Sequence, residues 1–464
     1  MELRTHRSMP NRCLMWIFVG LVLGASNGAF AESLGFPCSD WGTSVVVDGS
    51  QRTIVGGAAA DNRVLEWESG HAHYGNFALA RLDASGRLDP SFGDEGSFIL
   101  DEGDFDSVAD LALDSEGVIV GGTTQQRDAG RTGPRRAVVF RLDDDGELDE
   151  SFGDRGIAGL GLGGSEAVES VAAGREGDVY VAGTLERAGW TQGFVARLDD
   201  EGRLDPAFGN HGVVYLGALA GMHRVHGMRR TGGALLVAGA RSSDGTTEAM
   251  VVRLNRDGRL TRRFADAGVA TVEVPHAVAG QGTAFFSRRG ATAVSLQVVA
   301  EAGSRIATVV FDPRGHAQQG TDGYLDVLDA PTGALDFANA GAFLWGRAMY
   351  LAGATYPQDF ATGDAFLARK RAQDAGYDVT SAHFDLEYAA YNDLAVNRKT
   401  VTAVGWNFGE ADDTLPPSDA LVVRYLHDGR LDTTFGDAGV LKLDFMRGQA
   451  VCGPRVVDCA TATC

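Results

Sequence analysis

Short apolar runs separated by turn residues follow one another along most of this chain. VIVGGT at 118–123 and VYVAGT at 179–184 are examples, and similar runs lie at 53–58, 235–240, 296–300, 349–354 and 401–406. Each follows another short apolar run, with a turn between the two that glycine often supplies, as is typical of β-hairpins. No window keeps an apolar stripe of helical period over a dozen residues, so the pattern predicts an all-β fold.

One sixteen-residue sequence recurs five times. The copies are RLDASGRLDPSFGDEG from Arg81, RLDDDGELDESFGDRG from Arg141, RLDDEGRLDPAFGNHG from Arg197, RLNRDGRLTRRFADAG from Arg253 and RYLHDGRLDTTFGDAG from Arg424. The long gap before the last copy holds two degraded ones, around Gly315 and Gly376. Seven units therefore cover residues 32–448, and each must pack on its neighbours to bury a core.

Four strand candidates in each unit specify the architecture. Two precede the recurring sequence, one runs into it and one follows it. Radial repetition of four-stranded antiparallel sheets is the known arrangement for such a pattern. We therefore expect a seven-bladed β-propeller with four antiparallel strands per blade. An open β-solenoid is the alternative, although its repeats are usually shorter and its ends need polar caps.

The recurring residues resemble the bacterial delta-60 repeat family, whose copies read approximately R-L-[DN]-x-[DN]-G-x-L-D-x-[ST]-F-G-x-x-G. The resemblance covers about residues 44–444 and is specific in five of the seven units. It implies a repeated β-propeller-like domain of unassigned function.

An arginine and an aspartate lie eight residues apart in four copies: Arg81 and Asp89, Arg141 and Asp149, Arg197 and Asp205, and Arg424 and Asp432. The acidic turn between them resembles a calcium-binding loop, but arginine occupies the first ligand position. We expect the guanidinium to pair with the loop carboxylates as a structural staple. A calcium site and simple solvated charge are the alternatives. The Phe-Gly that follows predicts an aromatic ring packed under the turn.

The N-terminus has the form of a signal peptide. Arg4, Arg7 and Arg12 precede a short apolar run, and Ala29-Phe30-Ala31 is a cleavage signal of small residues. The run is too short to span a bilayer, so we expect residues 1–31 to be removed and the protein to be periplasmic or secreted. The near absence of lysine beside many arginines suggests a GC-rich Gram-negative bacterium.

Four cysteines follow the predicted cleavage point: Cys38, Cys452, Cys459 and Cys464. An even number in an exported chain predicts disulfides. Cys38 can pair only with the tail at 449–464, which would join the two ends of the chain. The alternative is a tail that pairs internally and leaves Cys38 free.

The net charge disfavours anionic binding partners. It is −21 for the whole chain, which disfavours nucleic acid and anionic lipid surfaces. We expect no membrane span and a monomer.

Insertions that differ between units are better candidates for function than the repeated positions. They lie at 58–76, 123–136, 354–364 and 407–419, between the second and third strands of their units and thus on one face. Trp67, Tyr74, Tyr356 and Phe360 would make this face rich in aromatics, which suits binding.

No catalytic constellation is evident in the sequence. The histidine pairs His71 with His73 and His223 with His226 lack acidic or cysteine companions at metal-ligand spacing. We therefore expect no cofactor, no metal and no catalytic residue. The sequence favours a non-enzymatic binding or scaffold module for an envelope or extracellular protein or glycan. The alternative is a hydrolase or lyase with its active site in the axial channel.

Overall fold

The computed structural model describes most of the chain from Asp40 to Asp458. The described residues are 40–67, 70–128, 131–243, 246–274, 276–277, 284–288, 291–300, 303–318, 326–328, 335–344, 348–357, 362–371, 374, 376–382, 388–408, 419–445, 449–452 and 455–458. The predicted signal peptide at 1–31 lies outside them.

The described residues form an all-β fold, as the sequence predicted. Its strands fall into seven successive groups of four and one terminal hairpin. Group 1 is β1 Asp40–Val47, β2 Thr53–Trp67, β3 Gly70–Leu82 and β4 Ser97–Leu100. Group 2 is β5 Phe105–Leu113, β6 Val118–Asp128, β7 Arg131–Leu142 and β8 Ile157–Gly159. Group 3 is β9 Ser165–Ala173, β10 Val179–Arg187, β11 Trp190–Leu198 and β12 Val213–Tyr215.

The later groups repeat this order. Group 4 is β13 Arg224–Thr231, β14 Ala234–Ser243, β15 Thr246–Leu254 and β16 Val269–Glu273. Group 5 is β17 Phe285–Arg288, β18 Ala291–Ala300, β19 Gly303–Phe311 and β20 Asp326–Leu328. Group 6 is β21 Leu335–Leu344, β22 Ala348–Tyr356, β23 Asp364–Arg371 and β24 Asp378–Ala382. Group 7 is β25 Tyr388–Val396, β26 Thr400–Phe408, β27 Asp419–Leu426 and β28 Val440–Leu443. The terminal hairpin is β29 Gln449–Cys452 and β30 Arg455–Asp458.

Within each group the strands pair antiparallel with their neighbours in the chain. Groups 3 to 7 are separate four-stranded sheets. Groups 1 and 2 form one eight-stranded sheet, because a single parallel bridge joins Gly75 of β3 to Phe105 of β5. The apolar runs recognised in the sequence lie in the second strand of each group.

The core lies between successive groups, since the middle strands bury both faces. One cluster joins Ile119 and Val139 of group 2 to Val171 and Val181 of group 3. Another joins Val55 of group 1 to Val422 of group 7. The last group therefore packs against the first, and the first strands β1, β5, β9, β13, β17, β21 and β25 all line one central cavity.

One short helix departs from the all-strand prediction. This helix, α1 Leu216–Ala220, follows β12 and ends at Gly221, whose φ of 71° is left-handed. In the part of the chain that the structure describes, no helix has the length and apolar character needed to cross a bilayer.

Two of the four insertions are not loops. Residues 58–76 continue the hairpin of β2 and β3, with Asp61 opposite Tyr74 and Trp67 opposite Gly70. Residues 123–136 likewise extend β6 and β7, with Asp128 opposite Arg131. The backbone N–H and C=O groups of these segments pair with each other across the hairpin, so the insertions lengthen strands that the sequence pattern had ended early.

Candidate functional site

The recurring sequence connects the third strand of a group to the fourth. In group 1, Nε of Arg81 donates to Oδ2 of Asp89 at 2.8 Å, and Arg424 and Asp432 repeat this bond at 2.8 Å in group 7. Arg197 donates to Asp205 in group 3. Arg81 and Arg424 are buried.

Group 2 arranges its arginine differently. Nη1 of Arg141 lies 3.7 Å from Oδ2 of Asp149. The same nitrogen donates at 2.8 Å to Oε2 of Glu116, in the turn between β5 and β6. The closer partner of this arginine is therefore Glu116, which the eight-residue spacing did not indicate.

Each guanidinium also lies over the phenylalanine of its own Phe-Gly turn. The distance from Cζ to the ring centroid is 4.8 Å for Arg81 and Phe92, 5.0 Å for Arg141 and Phe152, 5.5 Å for Arg197 and Phe208, and 4.3 Å for Arg424 and Phe435. These are cation–π distances. All four rings are buried, as the sequence predicted.

The repeat turn contacts the turn of the next group. Backbone N–H of Gly93 donates to the Asp145 carbonyl at 2.7 Å, and Gly153 donates to Glu201 at 2.9 Å. Gly436 of group 7 donates to Ser85 of group 1 at 2.8 Å, so the same contact joins the last group to the first. The recurring residues thus connect neighbouring groups as well as shaping their own turn.

The arginines take part in this contact. Nη1 of Arg424 donates to the Ala84 carbonyl at 2.8 Å, and Nη1 of Arg197 donates to the Arg256 carbonyl at 2.9 Å. In the degraded group 6, Arg369 pairs with Asp378 and donates to the His427 carbonyl at 2.6 Å. The eight-residue spacing does not single out Arg369, although ARK at 368–370 keeps the arginine at the same place in the third strand.

The central cavity is the second candidate site. Its volume is about 760 Å³, and it is lined by the first strands of all seven groups. In six of these strands a register shift marks a β-bulge of one residue. These residues are Thr43, Ala109, Glu169, His226, Asn339 and Asn392. A β-bulge redirects side chains, and all six residues line the cavity.

Three of the bulge residues hydrogen-bond to a neighbouring group. Oγ1 of Thr43 donates to the Val108 carbonyl at 2.6 Å. Nδ2 of Asn339 donates to Tyr391 at 2.9 Å, and Nδ2 of Asn392 donates to Gly42 at 2.8 Å. Each acceptor directly precedes the bulge residue of the next group, so one bond type recurs around the cavity.

Two aspartates bind the next group in the same way. Oδ2 of Asp393 accepts from the Val45 N–H at 2.9 Å and from Oγ of Ser44 at 3.0 Å. Oδ2 of Asp110 accepts from the Val171 N–H at 2.9 Å and from Oγ of Ser170 at 2.7 Å. Burial and then the charge of Asp110 raise the pKa of Asp393 to about 7. Burial also raises the pKa of Asp110.

Glu169 differs from these residues, because no hydrogen bond to it is found among the described residues. Burial raises its pKa to about 8, while Arg224 and Arg135 act in the opposite direction. Burial lowers the pKa of the adjacent His226 to about 4, and Arg224 adds to this shift. Glu169 is therefore a mostly neutral carboxyl, and His226 a neutral imidazole, at neutral pH. Arg229 lies three residues after His226 on β13. Its side chain is exposed and also lines the cavity.

The predicted aromatic face is wrong for Tyr356. Its ring is 3% exposed and packs against Phe337 with 5.9 Å between centroids. The reason is that β22 continues to Tyr356, so the residue belongs to a buried strand and not to a loop. The side chains of Trp67 and Tyr74, and all of Phe360, lie outside the described residues. Trp190, which none of the four insertions contains, is an aromatic on a hairpin tip with 45% exposure.

The remaining candidates give little further chemistry. Cys38, Cys459 and Cys464 and the side chain of Cys452 lie outside the described residues, as do the side chains of His71 and His73. Within the part of the chain that is described, no three His, Cys, Asp or Glu side chains cluster as metal ligands would. His223 is exposed, whereas His226 faces the cavity.

Comparison with known proteins supports a β-propeller repeat. A family described as "Domain of unknown function (DUF5122) beta-propeller" matches residues 70–92. These residues contain β3 and most of the first repeat turn. No curated protein matches the sequence.

Several solved structures match this chain at low identity. The β-propeller domain of the Trilobed protease from Pyrococcus furiosus is 6% identical, covers 84% of this chain and 96% of its own, and has a TM-score of 0.43. Drosophila Semaphorin 2a is 8% identical, with 80% and 76% covered and a TM-score of 0.45. Pyrococcus horikoshii acylaminoacyl peptidase is 7% identical, with 82% and 51% covered and a TM-score of 0.40. Similarity at these identities and TM-scores indicates nothing about the activity of this protein.

Proposed function

We propose that this protein is an exported, non-enzymatic, seven-bladed β-propeller that binds the end of an extracellular or envelope glycan in its axial cavity. Each strand group is one four-stranded blade. The observation that carries the proposal is the cavity itself, because seven first strands place polar side chains around one space of about 760 Å³. Ligand sites of this size with convergent polar groups are typical of small-molecule recognition.

The Arg–Asp pairs are structural staples in this proposal. Oδ1 of Asp83 accepts the backbone N–H groups of Ser85 at 2.8 Å and Arg87 at 3.0 Å, and Asp199 accepts from Glu201 and Arg203 in the same way. These oxygens thus have donors within their own turn. Calcium is the alternative, and a chelator that lowered the melting temperature of the purified protein would favour it.

Export and closure of the chain ends belong to the same proposal. Residues 1–31 are removed, and Cys38 is linked to the C-terminal tail. The proximity of the ends supports this link, since the Phe445 N–H donates to Oδ2 of Asp40 at 2.7 Å. Intact mass and peptide mapping without reductant test both points. A mature N-terminus other than Glu32, or a peptide with free Cys38, would contradict them.

Two cavity carboxylates that bind the neighbouring blade favour binding over catalysis. Asp110 and Asp393 each accept backbone and hydroxyl hydrogen bonds from a neighbouring blade, so their oxygens hold the scaffold together. The second candidate is a hydrolase or lyase. Glu169 favours it, because a carboxyl with a pKa of about 8 suits a general acid.

Cavity-filling and hairpin variants separate the possible sites. Ala112→Trp fills the cavity, and Trp190→Ala removes the exposed hairpin aromatic. We expect glycan-array binding by the wild type, a loss of at least tenfold in Ala112→Trp and no change in Trp190→Ala. Loss only in Trp190→Ala would move the site to the hairpin face. Turnover of a bound glycan by the wild type, abolished in Glu169→Gln, would favour the enzyme.

A further inference from the structure

The hydroxyl of Ser44 lies between two carboxylates that come from different blades. Its Oγ is 3.0 Å from Oδ2 of Asp393 on β25 and 3.4 Å from Oδ1 of Asp110 on β5. A serine hydroxyl has a single hydrogen to donate. It can therefore serve only one of the two carboxylates at a time.

The other donors at this junction do not remove the competition for the Ser44 hydrogen. Val45 N–H donates to Oδ2 of Asp393 at 2.9 Å, and Leu394 N–H donates to its Oδ1 at 2.7 Å. Leu111 N–H lies 2.9 Å from Oδ1 of Asp110 and 3.2 Å from Oγ of Ser44. If both carboxyls were ionised, two like charges would flank one hydroxyl in a partly buried space, which is unfavourable.

One added proton completes the hydrogen bonding. A proton on Oδ2 of Asp393 can be donated to Oγ of Ser44, whose own hydrogen then points to Oδ1 of Asp110. The chain also works in the reverse direction, with the proton on Asp110. Either direction uses every donor and leaves the pair with one negative charge.

We propose that Asp393 and Asp110 share one proton through the Ser44 hydroxyl, and that this proton holds the last blade against the first two. Loss of the proton leaves two negative charges facing each other across β25, β1 and β5, which loosens this junction and the adjacent cavity wall. The axial cavity is thus sensitive to pH. The proposal depends on the contacts of the first strands and not on any ligand.

The surrounding charges do not neutralise the pair. Glu169 faces the cavity from β9, and His226, Arg229 and Arg230 face it from β13. Arg229 attracts Asp110, but no ion pair to either aspartate is found among the described residues. Ser287 of β17 and Asn339 of β21 are uncharged, and Asp40 lies at the far end of β1. The raised pKa of Asp393, about 7, agrees with a retained proton.

Hydrogen exchange in peptides that cover β1 tests the proposal. The wild type and Asp393→Asn, an isosteric mimic of the protonated carboxyl, are compared from pH 5.5 to 8.5 as protection factors. Because opening releases a proton held with a pKa of about 7, the wild-type opening constant should rise by up to about tenfold per pH unit up to about pH 7 and level off above it. Asp393→Asn should stay flat, whereas Glu186→Gln, which removes an exposed carboxylate of β10, should keep the wild-type slope. Equal slopes in the wild type and Asp393→Asn would overturn the proposal.

A second variant tests the proposal if Asp393→Asn does not fold. Asp110→Asn removes the like charge that raises the pKa of Asp393, so we expect the rise in β1 opening to end at a lower pH than in the wild type. An unchanged profile in Asp110→Asn would also overturn the shared proton.

Discussion

Nη1 of Arg424 donates a hydrogen bond of 2.8 Å to the backbone carbonyl of Ala84, 340 residues earlier in the chain. The same guanidinium pairs with Asp432 and covers the ring of Phe435. Similar bonds connect earlier neighbours, for example Arg197 with Arg256. The interaction between adjacent repeats is therefore also the interaction that joins the two ends of the series.

Arg424→Ala should destabilise the protein by about 3 kcal/mol, because it leaves the buried Asp432 without its cation and removes the bond to Ala84. The measurement is urea unfolding followed by fluorescence. Arg430→Ala is the matched control, since its side chain is 77% exposed and its pairing with Asp428 is weak. Equal effects of the two variants would contradict the role assigned to Arg424.

Gly146→Ala should also destabilise the protein. Gly146 has a φ of 78°, and a Cβ would lie 2.6 Å from the backbone nitrogen of Gly93 in the preceding group. Backbone strain and the clash together should cost about 3 kcal/mol. Gly189→Ala shares the left-handed φ of 82° but has open space around it, so it should cost only about 1 kcal/mol. Thermal unfolding measures the stability of both variants, and the difference between them is the contribution of the close contact between Gly146 and Gly93. An equal loss of stability in the two variants would show that this contact contributes nothing.

Tyr425→Phe should cost about 1–2 kcal/mol, although it removes only one oxygen. The hydroxyls of Tyr391 and Tyr425 are buried and 2.6 Å apart, so the variant leaves Tyr391 without this partner. Adding Tyr391→Phe should restore part of the loss, because no unpaired hydroxyl remains. A double-mutant cycle from urea unfolding measures this coupling, and strictly additive losses would show that there is none.

Glu169→Gln should stabilise the protein at high pH. The pKa of Glu169 is about 8 in the folded protein against an ordinary value of 4.5, so folding takes up a proton between these values. The stability from this group is therefore greatest below pH 4.5 and falls as the pH rises to about 8.

Melting temperatures of the wild type and Glu169→Gln should thus differ more at pH 9 than at pH 5. The control is Glu186→Gln, which removes an exposed carboxylate of the neighbouring strand β10. A difference between Glu169→Gln and the wild type that does not change with pH would contradict the buried neutral carboxyl.

Features that depend on residues near each other in the chain were predictable. The turn of the recurring sequence needs a glycine with positive φ at Gly86, Gly146 and Gly202, and the structure has it at all three. Short apolar runs located the second strand of every group. Local hydrogen bonds and strand period decide these features, so a short window of sequence contains the necessary information.

Contacts between distant residues were predictable only in part. The spacing indicated the pairs of Arg81 with Asp89 and of Arg424 with Asp432, but not the bonds of these arginines to the next group. Arg141 shows the limit most clearly, because Glu116 competes with Asp149 from a turn that only the fold brings near.

The sequence by itself determined the strand order, the repeat turns and the burial of Phe92 and its equivalents, because each follows from residues within one unit. Only the tertiary structure decided which polar groups meet. Bulges in the first strands turn Glu169, His226 and Asn339 toward one cavity, and packing of the last group on the first brings Asp393 to Ser44. A bulge depends on how two strands register, and a junction between blades depends on how all the sheets pack, so neither is written in any single segment.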